Sequence, residues 1–197
     1  NFYILTLPLN CFLVFRLIIQ NYNIFFIFKI IMFENKSVLI TGGTGSFGQV
    51  FVSTLLKSVK NIKIYIFSRD ELKQFEMKNL FNDKRLEFIL GDVRDSSRFS
   101  SLDINPNFIV HAAAMKQIVA SEMNPSECIN TNILGTQNIL NFSQQFKKCK
   151  FLSLSTDKAV NPINLYGATK LSLEKLTLSM NNLYKNNSYS VLRYGNV

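Results

Sequence analysis

Between residues 37 and 59 a short apolar run, Ser37-Val38-Leu39-Ile40, passes directly into Thr41-Gly42-Gly43-Thr44-Gly45-Ser46-Phe47-Gly48. A helically spaced stretch follows, with Val50, Phe51, Leu55 and Val59 on its inner side. A buried strand that turns through glycines into a helix is the opening of a βαβ unit, and it commits the chain to a parallel sheet. In that context Gly42, Gly45 and Gly48 have distinct uses: a tight turn, close approach of the backbone to a pyrophosphate, and close helix packing. The start of the following helix offers unpaired N–H groups and the positive end of its dipole to phosphate.

The rest of the chain repeats the alternation. Strands are expected at 62–67, 86–90, 108–111, 150–154 and 189–193, and helices at 71–81, 125–146 and 165–183. The fold class is therefore α/β, a Rossmann-like doubly wound parallel sheet, with residues 32–197 forming one dinucleotide-binding domain.

The first 31 residues break the pattern. They are rich in Phe, Ile, Leu and Asn and carry only Arg16 and Lys29 as charges. Pro8, Arg16, Gln20, Asn21 and Asn23 interrupt every window of about 20 residues that could span a bilayer. The expectation is that Met32 begins the domain and that 1–31 is non-native upstream translation, with a weak membrane segment as the alternative.

Composition narrows the function. The chain has 197 residues, 47% hydrophobic and 18% charged, enough for one sizeable core. Its net charge of +9 comes from basic residues interleaved with acidic ones, not from a run, so no nucleic-acid partner is expected. Cys11, Cys128 and Cys149 have no paired or metal-binding spacing and indicate reduced thiols in a cytoplasmic protein. The single histidine, His111, is followed by three alanines and is expected to be a packed, hydrogen-bonded residue; no metal site is expected.

The chemistry concentrates late in the chain. Ser155-Thr156-Asp157-Lys158 ends one strand, and Tyr166 and Lys170, four apart on the next helix, share a face. There the ammonium is expected to lower the phenol's pKa, so that Tyr166 exchanges a proton with a carbinol during hydride transfer. Thr156 is expected to hydrogen-bond the reacting oxygen, and Asp157 and Lys158 are a second acid/base pair that a simple dehydrogenase does not need. Upstream, Ser68-Arg69 ends a strand where an arginine can take a 2′-phosphate, which favours NADP, and Asp92 is placed to accept from an adenine amino group. Asp70 capping the second helix beside a solvated Arg69 is the competing reading.

These residues resemble the extended short-chain dehydrogenase/reductases. The resemblance rests on the glycine motif, Phe67-Ser68-Arg69-Asp70-Glu71-Leu72-Lys73, Gly91-Asp92-Val93-Arg94-Asp95, His111-Ala112-Ala113-Ala114 and Asn124-Pro125-Ser126-Glu127-Cys128. It continues through Ser155–Lys158, Asn161–Lys170 and Arg193-Tyr194-Gly195-Asn196-Val197. Within that group the chain is similar to the configuration-inverting UDP-N-acetylglucosamine 4,6-dehydratases of pseudaminic acid or surface polysaccharide synthesis. The resemblance implies an NADP-dependent hydro-lyase giving a 4-keto-6-deoxy sugar nucleotide with inversion at C5, and a homo-oligomer. It implies catalytic roles for Thr156, Asp157, Lys158, Tyr166 and Lys170. It implies cofactor contacts from Gly42, Thr44, Gly45, Ser46, Phe47, Gly48, Ser68, Arg69, Asp92, Val93, Ala112, Ala113, Tyr166 and Lys170, and UDP-sugar contacts from Lys116 and Asn196. Gln117 and Val119 stand where relatives carry His and Pro, and the C-terminal substrate domain is expected to be missing from these 197 residues. A retaining dehydratase, a UDP-sugar 4-epimerase and a non-catalytic NADP-binding fragment remain the alternatives.

Overall fold

The computed structural model describes residues 3–5, by their backbone alone, and 32–195. Most of the 1–31 segment and the expected substrate contact Asn196 therefore lie outside the described residues. Strands β1 (Tyr3–Leu5), β2 (Lys36–Thr41), β3 (Ile62–Ser68), β4 (Leu86–Leu90), β5 (Phe108–His111), β6 (Lys150–Thr156) and β7 (Ser188–Tyr194) form one sheet in the order β1-β7-β6-β5-β2-β3-β4. All neighbours from β7 to β4 run parallel; β1, which the sequence did not announce as a strand, adds antiparallel to β7.

The order in which strands are added reverses around β2, which pairs with β3 on one side and β5 on the other. That switch point opens a crevice at the strands' carboxyl ends, where ligands of such sheets sit. Helices cover both faces: α1 (Ser46–Ser58), α2 (Glu71–Phe81), α3 (Ser96–Ser100), α4 (Ile118–Met123), α5 (Pro125–Ile129), α6 (Gly135–Ser143) and α7 (Leu165–Leu183). Because both faces are covered, central strands alternate between two cores. Val38 and Ile40 of β2 join Val52, Leu55, Ile64, Ile66 and Val110 on one side. Leu39 points to the other, with Phe67, Ile109, Ile139, Phe151 and Tyr189.

Two differences from the expected helices have physical causes. The expected helix 125–146 is two α-helical pieces joined by a π-turn, Asn130–Leu134, in which the Gly135 amide reaches back to the Asn130 carbonyl. A side chain at Gly135 would strike Val93 at 2.7 Å, so this glycine lets the β4–α3 connection press against the helix. The short α3 and α4 carry too few turns to leave a period, although Asp95 caps α3 by accepting from the Ser97 and Arg98 amides. Among the described residues no helix is long and apolar enough to cross a membrane.

The attachment of α7 to the sheet is polar. Glu174, 2% exposed, accepts from Ser155 Oγ of β6 at 2.5 Å and from Arg193 Nε and Nη2 of β7 at 2.6 and 2.5 Å. Thr177 Oγ1 lies 2.8 Å from Ser153 Oγ one turn further on. Glu174→Gln is expected to lower the unfolding free energy by roughly 3 kcal/mol, since it strands the largely buried Arg193 charge. Urea unfolding is the check. A Glu174→Leu/Arg193→Met double variant less stable than Glu174→Gln would show that the unpaired charge is not the cause.

Candidate active site

The turn after β2 is shaped for a diphosphate. Gly42 has φ +67°, and a Cβ there would meet the Ala113 backbone nitrogen at 2.7 Å, so glycine is required on both counts. Gly48 lies against Gly43, whose carbonyl oxygen would be 2.1 Å from a Cβ. Gly45 differs: a Cβ on it would meet only the Gly42 oxygen, at 3.3 Å, and otherwise open space. It caps α1 with no side-chain hydrogen bond, and the first turn has no acidic residue. The amides of Ser46, Phe47 and Gly48 thus have no acceptor within α1, at its positive end. Thr44 is buried, and its carbonyl accepts from Gln49 Nε2 at 3.0 Å, which braces the turn.

At the end of β3, Ser68 is buried and held by Gln74, whose Nε2 donates to Ser68 Oγ and carbonyl and to the Ile89 carbonyl. Asp70 caps α2 by accepting from the Lys73 amide, and Arg69 is largely exposed with Nη1 3.9 Å from Asp92 Oδ2. Both halves of the competing reading for these two residues are therefore present. Asp92 is engaged by Arg94 through paired bonds of 3.0 and 2.7 Å. Burial pushes its carboxyl up, but Arg94's hydrogen bonds and charge, with Arg69's charge, hold it below the usual range. The Val93 side chain belongs to the core, and its carbonyl accepts from Asn138 Nδ2 at 3.0 Å. Ala112 and Ala113 follow β5 beside the glycine turn, their amides donating to the Thr41 carbonyl and Oγ1.

Five polar side chains meet where β6 ends. Thr156 is 5% exposed, and its Oγ1 donates to Asp157 Oδ1 at 2.9 Å. Lys158 Nζ donates to the same oxygen at 3.3 Å. The two bonds, Thr156's first, hold the exposed Asp157 carboxyl below its ordinary range. Asn164 caps α7 through the Gly167 amide, and a Cβ at Gly167 would lie 2.3 Å from the Lys158 carbonyl oxygen. This close approach carries Tyr166 up to the 156–158 turn.

One expectation fails. Tyr166 is pushed up to about 12, by burial first and then by Tyr194, with only a hydrogen bond to Thr156 pulling the other way. Lys170 does not acidify it here. Its Nζ donates to the Leu154 carbonyl at 2.7 Å, and burial draws the ammonium itself down to about 8. Sharing a helix face places the two side chains near one another but does not decide where a buried ammonium finds its acceptor.

Lys116 is exposed in the loop after β5. That loop is tethered by Asn132, which the sequence reading missed. Fully buried in the π-turn, Asn132 accepts from the Met115 amide at 2.8 Å and donates to the Met115 carbonyl and to Thr169 Oγ1, each at 3.0 Å. An asparagine three residues before a helical glycine was its only signal. Glu174, four after Lys170 on the same face, was missed too.

Residues 38–197 match the family model described as Polysaccharide biosynthesis protein. UDP-N-acetylglucosamine 4,6-dehydratase (inverting) of Campylobacter jejuni is 52% identical over 170 residues, covering 84% of this chain and 50% of the relative. UDP-glucose 4-epimerase of Rickettsia rickettsii is 45% identical over 171 residues with the same coverage. The X-ray structure of Pen from Bacillus thuringiensis is 36% identical, with a TM-score of 0.76 over 80% of this chain and 49% of that one. The chain spans about half the length of these relatives. With the model matched over most of its length and the expected sheet and glycine turn in place, the chain belongs to the polysaccharide biosynthesis protein family, of the extended short-chain dehydrogenase/reductase type.

Proposed function

We propose that the protein takes part in the NADP-dependent dehydration of UDP-N-acetylglucosamine to a 4-keto-6-deoxy sugar nucleotide with inversion at C5. The observation that supports this most is the convergence of Thr156, Asp157, Lys158 and a buried Tyr166 at one strand end, beside a glycine turn with room for a diphosphate. The 52% identity to a dehydratase of that description agrees with it.

NADP held by the turn, with Arg69 on its 2′-phosphate, would accept hydride from C4 of the sugar and return it at C6. The chain's own residues do the proton work. Thr156 hydrogen-bonds the C4 oxygen, and Tyr166 takes its proton as the phenolate, a form that burial disfavours at rest and that the positive ring of a bound oxidised nicotinamide would stabilise. A ketone at C4 acidifies the C5 hydrogen, which Lys158 removes, while Asp157 protonates the hydroxyl leaving C6 as water. An epimerase has no use for the last two steps. That the protein is a cytoplasmic homo-oligomer, that residues 32–197 form its cofactor domain, and that Lys116 and Asn196 contact the UDP-sugar are parts of the same proposal.

In deuterated water the intact protein with NADP and UDP-N-acetylglucosamine is expected to give a product labelled at C5. Lys158→Ala is expected to slow label incorporation and dehydration together by about 100-fold or more. NMR of the product decides, and C4 inversion with an unlabelled C5 would replace dehydration by epimerisation.

Arg69→Ala is expected to weaken NADP binding by roughly tenfold and leave NAD binding unchanged, because it removes a charge-assisted contact to the 2′-phosphate alone. Fluorescence titration with both dinucleotides measures this. Equal losses for the two would place Arg69 outside the phosphate site.

A further inference from the structure

His111 has no part in the chemistry above, yet it is the centre of a buried polar chain. It is 1% exposed, with Nδ1 2.7 Å from Thr41 Oγ1 and Nε2 3.0 Å from Thr136 Oγ1. Thr41 and Thr136 are fully buried. A hydroxyl has one proton, so the neighbours fix the direction of every bond. The Asn132 carbonyl can only accept, and it lies 2.7 Å from Thr136 Oγ1. Thr136 therefore donates to Asn132 and must accept from His111 Nε2–H. Nδ1 is then the bare nitrogen and accepts from the Thr41 hydroxyl, whose oxygen receives the Ala113 amide at 3.4 Å. The opposite tautomer would withdraw the Thr136 proton from the Asn132 carbonyl.

The chain continues in one sense. Asn132 Nδ2 donates to Thr169 Oγ1 at 3.0 Å, and Thr169 Oγ1 donates to the Tyr166 carbonyl at 2.8 Å. At its near end Thr41 immediately precedes Gly42, which touches the Ala113 backbone. One set of directed bonds thus runs from the glycine turn and the end of β5, through the π-turn, to the backbone of Tyr166.

We propose that His111 is a positioning residue: as the neutral Nε2–H tautomer it holds the diphosphate turn of β2 and the Tyr166 end of α7 in fixed relation across the crevice. This rests on the dinucleotide reading of the site. Burial, with the charge of Lys170 nearby, pulls the imidazole down to about 3, so it stays uncharged near neutral pH. A hydroxyl relay through a neutral ring keeps its sense whatever the state of Asp157 and Lys158.

His111 is the only histidine, so long-range proton–nitrogen NMR of the protein reports it without assignment. The expected spectrum has a protonated Nε2 and a bare Nδ1, unchanged from about pH 5 to 8. Thr136→Val is expected to mix the tautomers and weaken NADP binding by roughly tenfold, and Thr136→Ser, which keeps the hydroxyl, to restore both. A protonated Nδ1, a titrating ring, or a Thr136→Val protein that binds NADP as tightly as the unsubstituted one overturns the proposal. An unsubstituted protein with the expected tautomer that binds neither NADP nor NAD overturns the cofactor reading, and the positioning role with it, while the bond directions stand.

Discussion

The ammonium of Lys170 sits 3% exposed beneath the end of β6, and what surrounds it follows from the need to keep a cation there. Taking a lysine out of water is costly, and its ammonium donates to the Leu154 carbonyl. Burial alone draws the group down, and the charge of Glu174, one helical turn away, acts in the opposite direction. Glu174 is itself buried and needs a partner, which Arg193 supplies from β7. A single buried cation thus accounts for a carboxylate on α7, a hydroxyl on β6 and a guanidinium on β7.

That requirement divides the two faces of the sheet. The side covered by α1 and α2 is filled by Val, Ile, Leu, Met and Phe, whose packing tolerates small shifts. Against β6 and β7, α7 instead presents Lys170, Glu174 and Thr177, each with a directed partner on a strand. Sliding the helix by one residue would break all of these bonds together, whereas an apolar interface could repack. The polar layer sets the height of Tyr166 above the sheet, and Gly167 against the Lys158 carbonyl sets how near it comes to the 156–158 turn.

Elements whose pattern lies within one segment were legible in the sequence. Helices 71–81 and 165–183 and strands 86–90 and 108–111 have the boundaries their periodicity predicts, helped at Asp70 by a cap three residues from the amide it accepts. What depends on remote neighbours was not legible. The π-turn leaves the apolar spacing of 125–143 almost intact, and its cause, Val93 against Gly135, lies about forty residues away in the chain. The antiparallel pairing of residues 3–5 with β7 is of the same kind. In the site, spacing put Tyr166 and Lys170 on one face correctly but gave the wrong direction for the phenol, because burial and the Leu154 carbonyl are tertiary facts.

The Asp157–Lys158 pair carries a tension of its own. A group that protonates a leaving hydroxyl must hold a proton, yet here Asp157 is exposed and two donors hold its carboxyl low. The larger of those is the Thr156 hydroxyl, which has one proton to give. On the proposed reading the same hydroxyl turns to the sugar's C4 oxygen when substrate binds. Asp157 then loses its strongest stabilising bond as the sugar excludes water, and both changes raise its proton affinity. On that reading the resting Asp157–Lys158 ion pair and a protonated Asp157 are two states of one arrangement, with the Thr156 proton selecting between them.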